Sequence, residues 1–189
     1  MAGRPARRVS PAERREQRAA VEDPAVVLEA AARFLEARSR SVAEVRRRLA
    51  RAGYRAELIE GAIARLGDLG MLDDEAFGRA WVESRDRARP RGEIALRREL
   101  ALKGVDRSIV DGLLEERREA ADPAAGSTDL VAARRLLEKG ARALARVTDP
   151  RQRRQRAYAL LARNGFDPET CREASRGLAD DAEDAEPLE

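Results

Sequence analysis

The sequence predicts an all-α fold, an elongated tandem array of three three-helix repeats. Three observations carry that expectation. A glycine-terminated helical pattern recurs: Ser41-Val42-Ala43-Glu44-Val45 through Leu49 to Gly53 lines up with Gly92-Glu93-Ile94-Ala95-Leu96 through Leu100 to Gly104, 51 positions on. The composition is 43% hydrophobic but only 3% aromatic, so leucine, valine, isoleucine and alanine must build the interior, and abundant alanine and arginine favour helix over strand. Charged residues make up 39% of the chain, which fits narrow apolar stripes and much exposed surface rather than one thick core.

Residues 1–22 hold Arg4, Arg7, Arg8, Arg14, Arg15 and Arg18 and almost no large apolar side chain, so a disordered basic arm is expected there. The first repeat spans 23–70. Asp23-Pro24 reads as an N-cap with proline at the first helical position, followed by Val27, Leu28, Ala31, Phe34 and Leu35 at helical spacing. Ser41 with Glu44 three residues later reads as a capping box, and the helix it opens carries Val45 and Leu49 and stops at Gly53. A third helix carries Leu58, Ile59, Ala62, Ile63 and Leu66 and ends by Gly70.

The second repeat spans 71–120 and has the sharpest signals. Asp73-Asp74-Glu75 is an acidic first turn, which meets unpaired N–H groups and the positive end of a helix dipole. Phe77 and Trp81 are four apart and share a face as core anchors. Arg89-Pro90-Arg91-Gly92 breaks the pattern; Leu96 and Leu100 mark the next helix and Gly104 its end; Ile109, Val110, Leu113 and Leu114 mark the third. Residues 121–128 read as a hinge loop. The third repeat spans 129–178, with a first helix over Leu130 to Val147 that Gly140 interrupts. Its second helix, over Arg151 to Asn164, is the most basic. A third begins at Asp167-Pro168, with Cys171 and Ala174 in place of bulkier groups, and is expected to pack least well. From 179 to 189 the chain is acidic with no basic residue, and a disordered tail is expected. Such a tail serves solubility, or masks a basic groove until a partner displaces it. Helices this short do not stand alone in water and stabilise one another module by module.

The chain has no histidine and one cysteine, which excludes a disulfide framework, a zinc site and histidine catalysis within it. Asp73-Asp74 lacks further ligands at fixed spacing, so a helix start explains both and no metal is expected. No glycine-rich loop is followed by the lysine and hydroxyl of a phosphate cradle. Neither an enzyme nor a cofactor is expected. No apolar run approaches a membrane span, and a cytoplasmic monomer is the expectation.

The ordered set Leu72-Asp73-Asp74, Phe77, Arg85, Gly92, Leu96, Glu99, Leu100, Lys103 and Gly104, with Ser41, Glu44 and Leu49 in the first copy, resembles the RecX family of bacterial proteins that restrain the recombinase RecA. The resemblance covers roughly residues 25 to 178. Gly78 departs from it, where a small helix former such as alanine is usual, and is expected to soften its helix. The resemblance implies a fold of tandem three-helix repeats and a role without catalysis in recombination, DNA repair and the SOS response. The implied partners are RecA and its filament on single-stranded DNA, with ATP hydrolysis, filament growth and strand exchange lowered. Arg85, Arg97, Arg98, Lys103, Arg151, Arg153, Arg154 and Arg156 are then the candidate partner-binding residues. The rival reading is a helical module that binds DNA directly, supported by the basic third repeat with Gln152 and Gln155.

Overall fold

The computed structural model describes residues 10–122 and 124–180, without the side chains of 177–180. These residues form ten α-helices and no strand: α1 (Pro11–Ala19), α2 (Pro24–Glu36), α3 (Val42–Ala52), α4 (Ala56–Asp68), α5 (Asp74–Ala88), α6 (Glu93–Lys103), α7 (Arg107–Glu119), α8 (Thr128–Leu144), α9 (Pro150–Arg163) and α10 (Pro168–Asp180). Helices α2–α4, α5–α7 and α8–α10 are three successive three-helix modules. The chain groups into two compact units: one runs to Phe77 and takes in Lys103–Val105, the other holds Gly78–Leu102 and the described residues from Asp106 on.

In the first unit, α2, α3 and α4 enclose Val27, Ala31, Val45, Leu49, Ile59, Ala62 and Leu66, joined by Leu72. Each fully buried aliphatic side chain contributes on the order of 1.5–3 kcal/mol. Helix α3 is set by its ends. The Ser41 hydroxyl oxygen accepts from the Glu44 N–H at 3.1 Å, Glu44 returns the bond to the Ser41 N–H, and Gly53 closes the helix at φ 102°. Tyr54 N–H reaches back to the Leu49 carbonyl, the longer bond of a Schellman ending.

In the second unit, Leu130, Ala133, Leu137, Ala157, Leu161, Phe166 and Cys171 form the interior of α8–α10. Leu96, Leu100, Val110, Leu113 and Leu114 are buried in α6 and α7. Cys171 and Ala174 are buried, so the smaller groups of α10 sit inside a closed core. Gly140 does not interrupt α8, which runs unbroken from Thr128. Gly78 has a packing reason: a Cβ there would stand 2.5 Å from Leu113 Cδ1, so the crossing of α5 and α7 excludes alanine.

A single joint occurs once in each unit. At the N-terminus of α3 the Ser41 hydroxyl donates to the Lys103 carbonyl at 2.6 Å, and the Val42 N–H donates to Asp74 Oδ1 at 2.8 Å. At the N-terminus of α6 the Gly92 N–H donates to the Asn164 carbonyl at 3.1 Å, and the Glu93 N–H donates to Asp129 Oδ2 at 2.9 Å. The second helix of one module therefore begins where the second helix of the next module ends, and an acid from that next module's first helix takes the first helical N–H. Opposed helix ends satisfy each other's orphan groups with aligned dipoles. At α9 the first helical residue is Pro150, which has no N–H to give, and Asp149 caps Arg151 instead at 2.9 Å.

The basic arm expected to be disordered over 1–22 is corrected in part. Residues 1–9 lie outside the described residues, but Pro11–Ala19 is a helix opened by a Ser10–Glu13 capping box. It buries no side chain; Arg18 donates to the Ala52 carbonyl at the end of α3 and lies 5.9 Å from the Tyr54 ring centroid. Polar docking on a helix C-terminus held together what apolar content could not. Of the acidic tail over 179–189, residues 179 and 180 belong to α10, and 181–189 lie outside the described residues.

The joint makes a paired prediction. A Cβ on Gly92 would collide with the Gly165 carbonyl, so Gly92→Ala should lower the unfolding free energy by about 1–3 kcal/mol. Gly112, mid-helix in α7, has nothing within 4 Å of a built Cβ, so Gly112→Ala should raise it by about 0.5–1 kcal/mol. Urea denaturation of the two variants reads both signs.

Candidate partner-binding surface

The eight basic residues singled out in the sequence divide sharply. Four are committed to the fold. Arg85 Nε meets Glu99 Oε2 at 2.6 Å, and its guanidinium lies 4.4 Å from the Trp81 ring centroid. Glu99 also accepts the Trp81 indole N–H at 2.9 Å and pairs with Arg91 at 3.3 Å, so one carboxylate ties α5 to α6. This corrects the expectation for Trp81. Phe77 is buried as a core anchor, whereas Trp81 is half-buried and hydrogen-bonded through its polar edge.

Arg97 is held by Asp111 and Glu93, and the Asp111 hydrogen bond raises its pKa further against the cost of burial. Lys103 pairs with Glu44 at 3.0 Å at the α3 joint. Burial pushes the Glu44 carboxyl up, but bonds from Lys103 and Arg38 outweigh it and hold the carboxyl below its usual range. Arg153 donates to the Val147 carbonyl at 3.1 Å. Arg98, Arg151, Arg154 and Arg156 are the other four. All are exposed, and no side-chain partner occupies them among the described residues.

The motif acids also separate. Asp73 accepts the Glu75 and Ala76 N–H groups at 2.8 and 3.0 Å, capping α5. Asp74 turns away to Val42; burial raises its pKa and the Asp73 charge adds to that, against the Val42 hydrogen bond. Leu96 and Leu100 are fully buried, and Gly104, at φ 81°, abuts Ala43. Among the described residues, no three His, Cys, Asp or Glu side chains converge to hold a metal.

Two basic grooves were not visible in the sequence. In the third module Arg151, Arg154, Gln155 and Tyr158 of α9 face Arg172 and Arg176 of α10 across an open groove of about 500 Å³. No carboxylate lines it. In the first unit Arg14, Arg15 and Arg18 of α1 face Arg48 and Arg51 of α3 across one of about 480 Å³. The helical i, i+4 spacing of Arg172 and Arg176 could have pointed to the first groove, and the Ser10–Glu13 capping box to the second.

Sequence reading also missed Arg117. Only 6% of its side chain is exposed, yet it meets Asp86 through two bonds of 2.9 Å and Asp129 at 2.6 Å. Burial opposes its charge, and the two carboxylates more than restore it, so its pKa is raised. Asp129 thereby serves both Arg117 and the Glu93 cap.

Family models match all three modules. RecX, first three-helix domain, matches residues 28–66; the second three-helix domain matches 73–114; the third matches 127–174. Among individual proteins, the chain is 35% identical over 159 residues to the regulatory protein RecX of Pelodictyon phaeoclathratiforme, covering 83% of this chain and 92% of that one. It is 34% identical over 141 residues to that of Mycobacterium tuberculosis, covering 71% and 75%. The crystal structure of RecX from Lactobacillus salivarius superposes with a TM-score of 0.68 over 83% of this chain and 97% of that one. At 20% identity that likeness concerns the fold alone.

The site makes two predictions. Arg117→Ala strands Asp86 and Asp129 and should cost about 3–5 kcal/mol in urea denaturation, whereas exposed Arg98→Ala should change stability by no more than about 0.5 kcal/mol. The second concerns acid. Glu44 has its folded pKa below the unfolded one, so its contribution is present above the unfolded carboxylate range and is lost as pH falls through the folded value. Stability of Glu44→Gln measured from pH 7 downward should fall less steeply in acid than that of the parent.

Proposed function

Since this chain belongs to the RecX family, we propose that it is a non-catalytic regulator of RecA. In this reading it binds RecA and its filament on single-stranded DNA and lowers ATP hydrolysis, filament growth and strand exchange. It acts in the cytoplasm as a monomer, and its tandem modules engage neighbouring RecA protomers. The observation that carries the choice of surface is the exposed, unpaired set Arg98, Arg151, Arg154 and Arg156. Those guanidiniums have no internal carboxylate to satisfy them, so they are available to acidic protein surface or phosphate. Arg85, Arg97, Lys103 and Arg153 act in this reading by holding the modules in shape.

A second reading has its own support. The α9/α10 groove sets arginines beside Tyr158 and Gln155, a combination suited to a single strand's phosphates and bases. A direct DNA binder should hold DNA without RecA, with an affinity that falls steeply with salt.

RecA ATPase on single-stranded DNA, titrated with this protein, tests the first reading. Inhibition should be complete near stoichiometric amounts. Charge reversal of Arg98, Arg151, Arg154 and Arg156 to Glu should raise the concentration needed by about tenfold or more with the fold intact by circular dichroism. Undiminished ATPase at stoichiometric protein would remove the reading; unchanged potency of the quadruple variant would remove this surface from it.

A further inference from the structure

The α9/α10 groove presents four guanidiniums, those of Arg151, Arg154, Arg172 and Arg176, and none has an ion-pair partner among the described residues. Like charges gathered on one concave surface repel one another and raise the local potential, so the groove favours an anionic occupant. The chain carries one close by. Helix α10 runs to Asp180, one turn past Arg176, which is about 6 Å along the axis. Beyond it the sequence reads Asp181-Ala182-Glu183-Asp184-Ala185-Glu186-Pro187-Leu188-Glu189, with five carboxylates and no basic residue. Nine residues reach up to about 30 Å when extended, more than enough to return to a groove whose wall is the preceding turn of the same helix.

We propose that residues 181–189 occupy the arginine groove of the third module in cis and compete there with external polyanions. Individual exposed ion pairs are weak. The tether changes the balance, because a short linker holds the segment at an effective concentration of about millimolar. An outside anion must then displace the segment, and its apparent affinity falls by the fraction of chains whose groove is open. The groove is thus an acidic-peptide site with a built-in ligand, and access to it depends on salt and on any competitor of higher charge density. This inference concerns the third module alone and does not rest on the RecA reading.

The experiment uses the full chain, a tail-neutral variant (Asp181→Asn, Glu183→Gln, Asp184→Asn, Glu186→Gln), and each again with Arg172→Ser and Arg176→Ser. Binding to a fluorescein-labelled oligothymidylate is measured without RecA. Tail neutralisation should tighten binding by about tenfold at low salt, and the gain should vanish at about 1 M salt, where charges are screened beyond about 3 Å. In the Arg172→Ser/Arg176→Ser background the same neutralisation should give no gain. Equal affinity of the full and tail-neutral chains overturns the proposal, as does a gain of the same size in both backgrounds, which would be a general charge effect. A readout without any probe accompanies it: the Nε–Hε NMR signals of Arg172 and Arg176 should shift on tail neutralisation, and unmoved signals count against the proposal. Because RecA is absent throughout, failure here leaves the ATPase result untouched, and the reverse also holds.

Discussion

The structure depends on the meeting of helix ends. A short helix leaves four N–H groups without partners at its start and four carbonyls at its finish. In this chain α3 and α6 each begin against the terminal carbonyl of another module's second helix: Ser41 against Lys103, and Gly92 against Asn164. An acid from the same neighbouring module, Asp74 or Asp129, takes the next N–H. The approach is so close that the residues at the contact must be glycine on at least one side, as at Gly104 against Ala43 and Gly92 against Gly165. Much of what looked like a sequence motif is the chemistry of this joint.

That constraint explains how the basic residues are apportioned. Joining modules through polar ends brings buried or half-buried acids into the fold, and each needs a cation. Asp86 and Asp129 take Arg117, Glu99 takes Arg85 and Arg91, and Glu44 takes Lys103 and Arg38. Arginine suits these places because its planar fork can bind two carboxylates at once, as Arg117 does. Charge that is tied up this way shapes the scaffold. Charge that is left over, on α6 at Arg98 and along α9 and α10, defines the surface on which a regulator without chemistry of its own can act.

The sequence by itself determined the helices and their order. Ser41 with Glu44, Asp23-Pro24 and the glycines at 53, 104 and 165 are local signals, each acting within a few residues through capping or left-handed backbone, so they survive without knowledge of the fold. The recurrence of Val45 and Leu49 as Leu96 and Leu100 fixed the modules for the same reason. It also misled where local reading has no purchase: α1 looked like a solvated arm because its hold on the protein is polar and comes from Ala52 and Tyr54, over thirty residues away in sequence. Which arginines are spent and which are exposed could be decided only by tertiary structure. Arg97 and Arg98 are neighbours in sequence, yet the helix turns one toward Glu93 and Asp111 and the other to solvent. Arg172 and Arg176 join Arg151 and Arg154 only because α10 folds back along α9. An ion pair depends on distance in space, and composition records only that the charges exist.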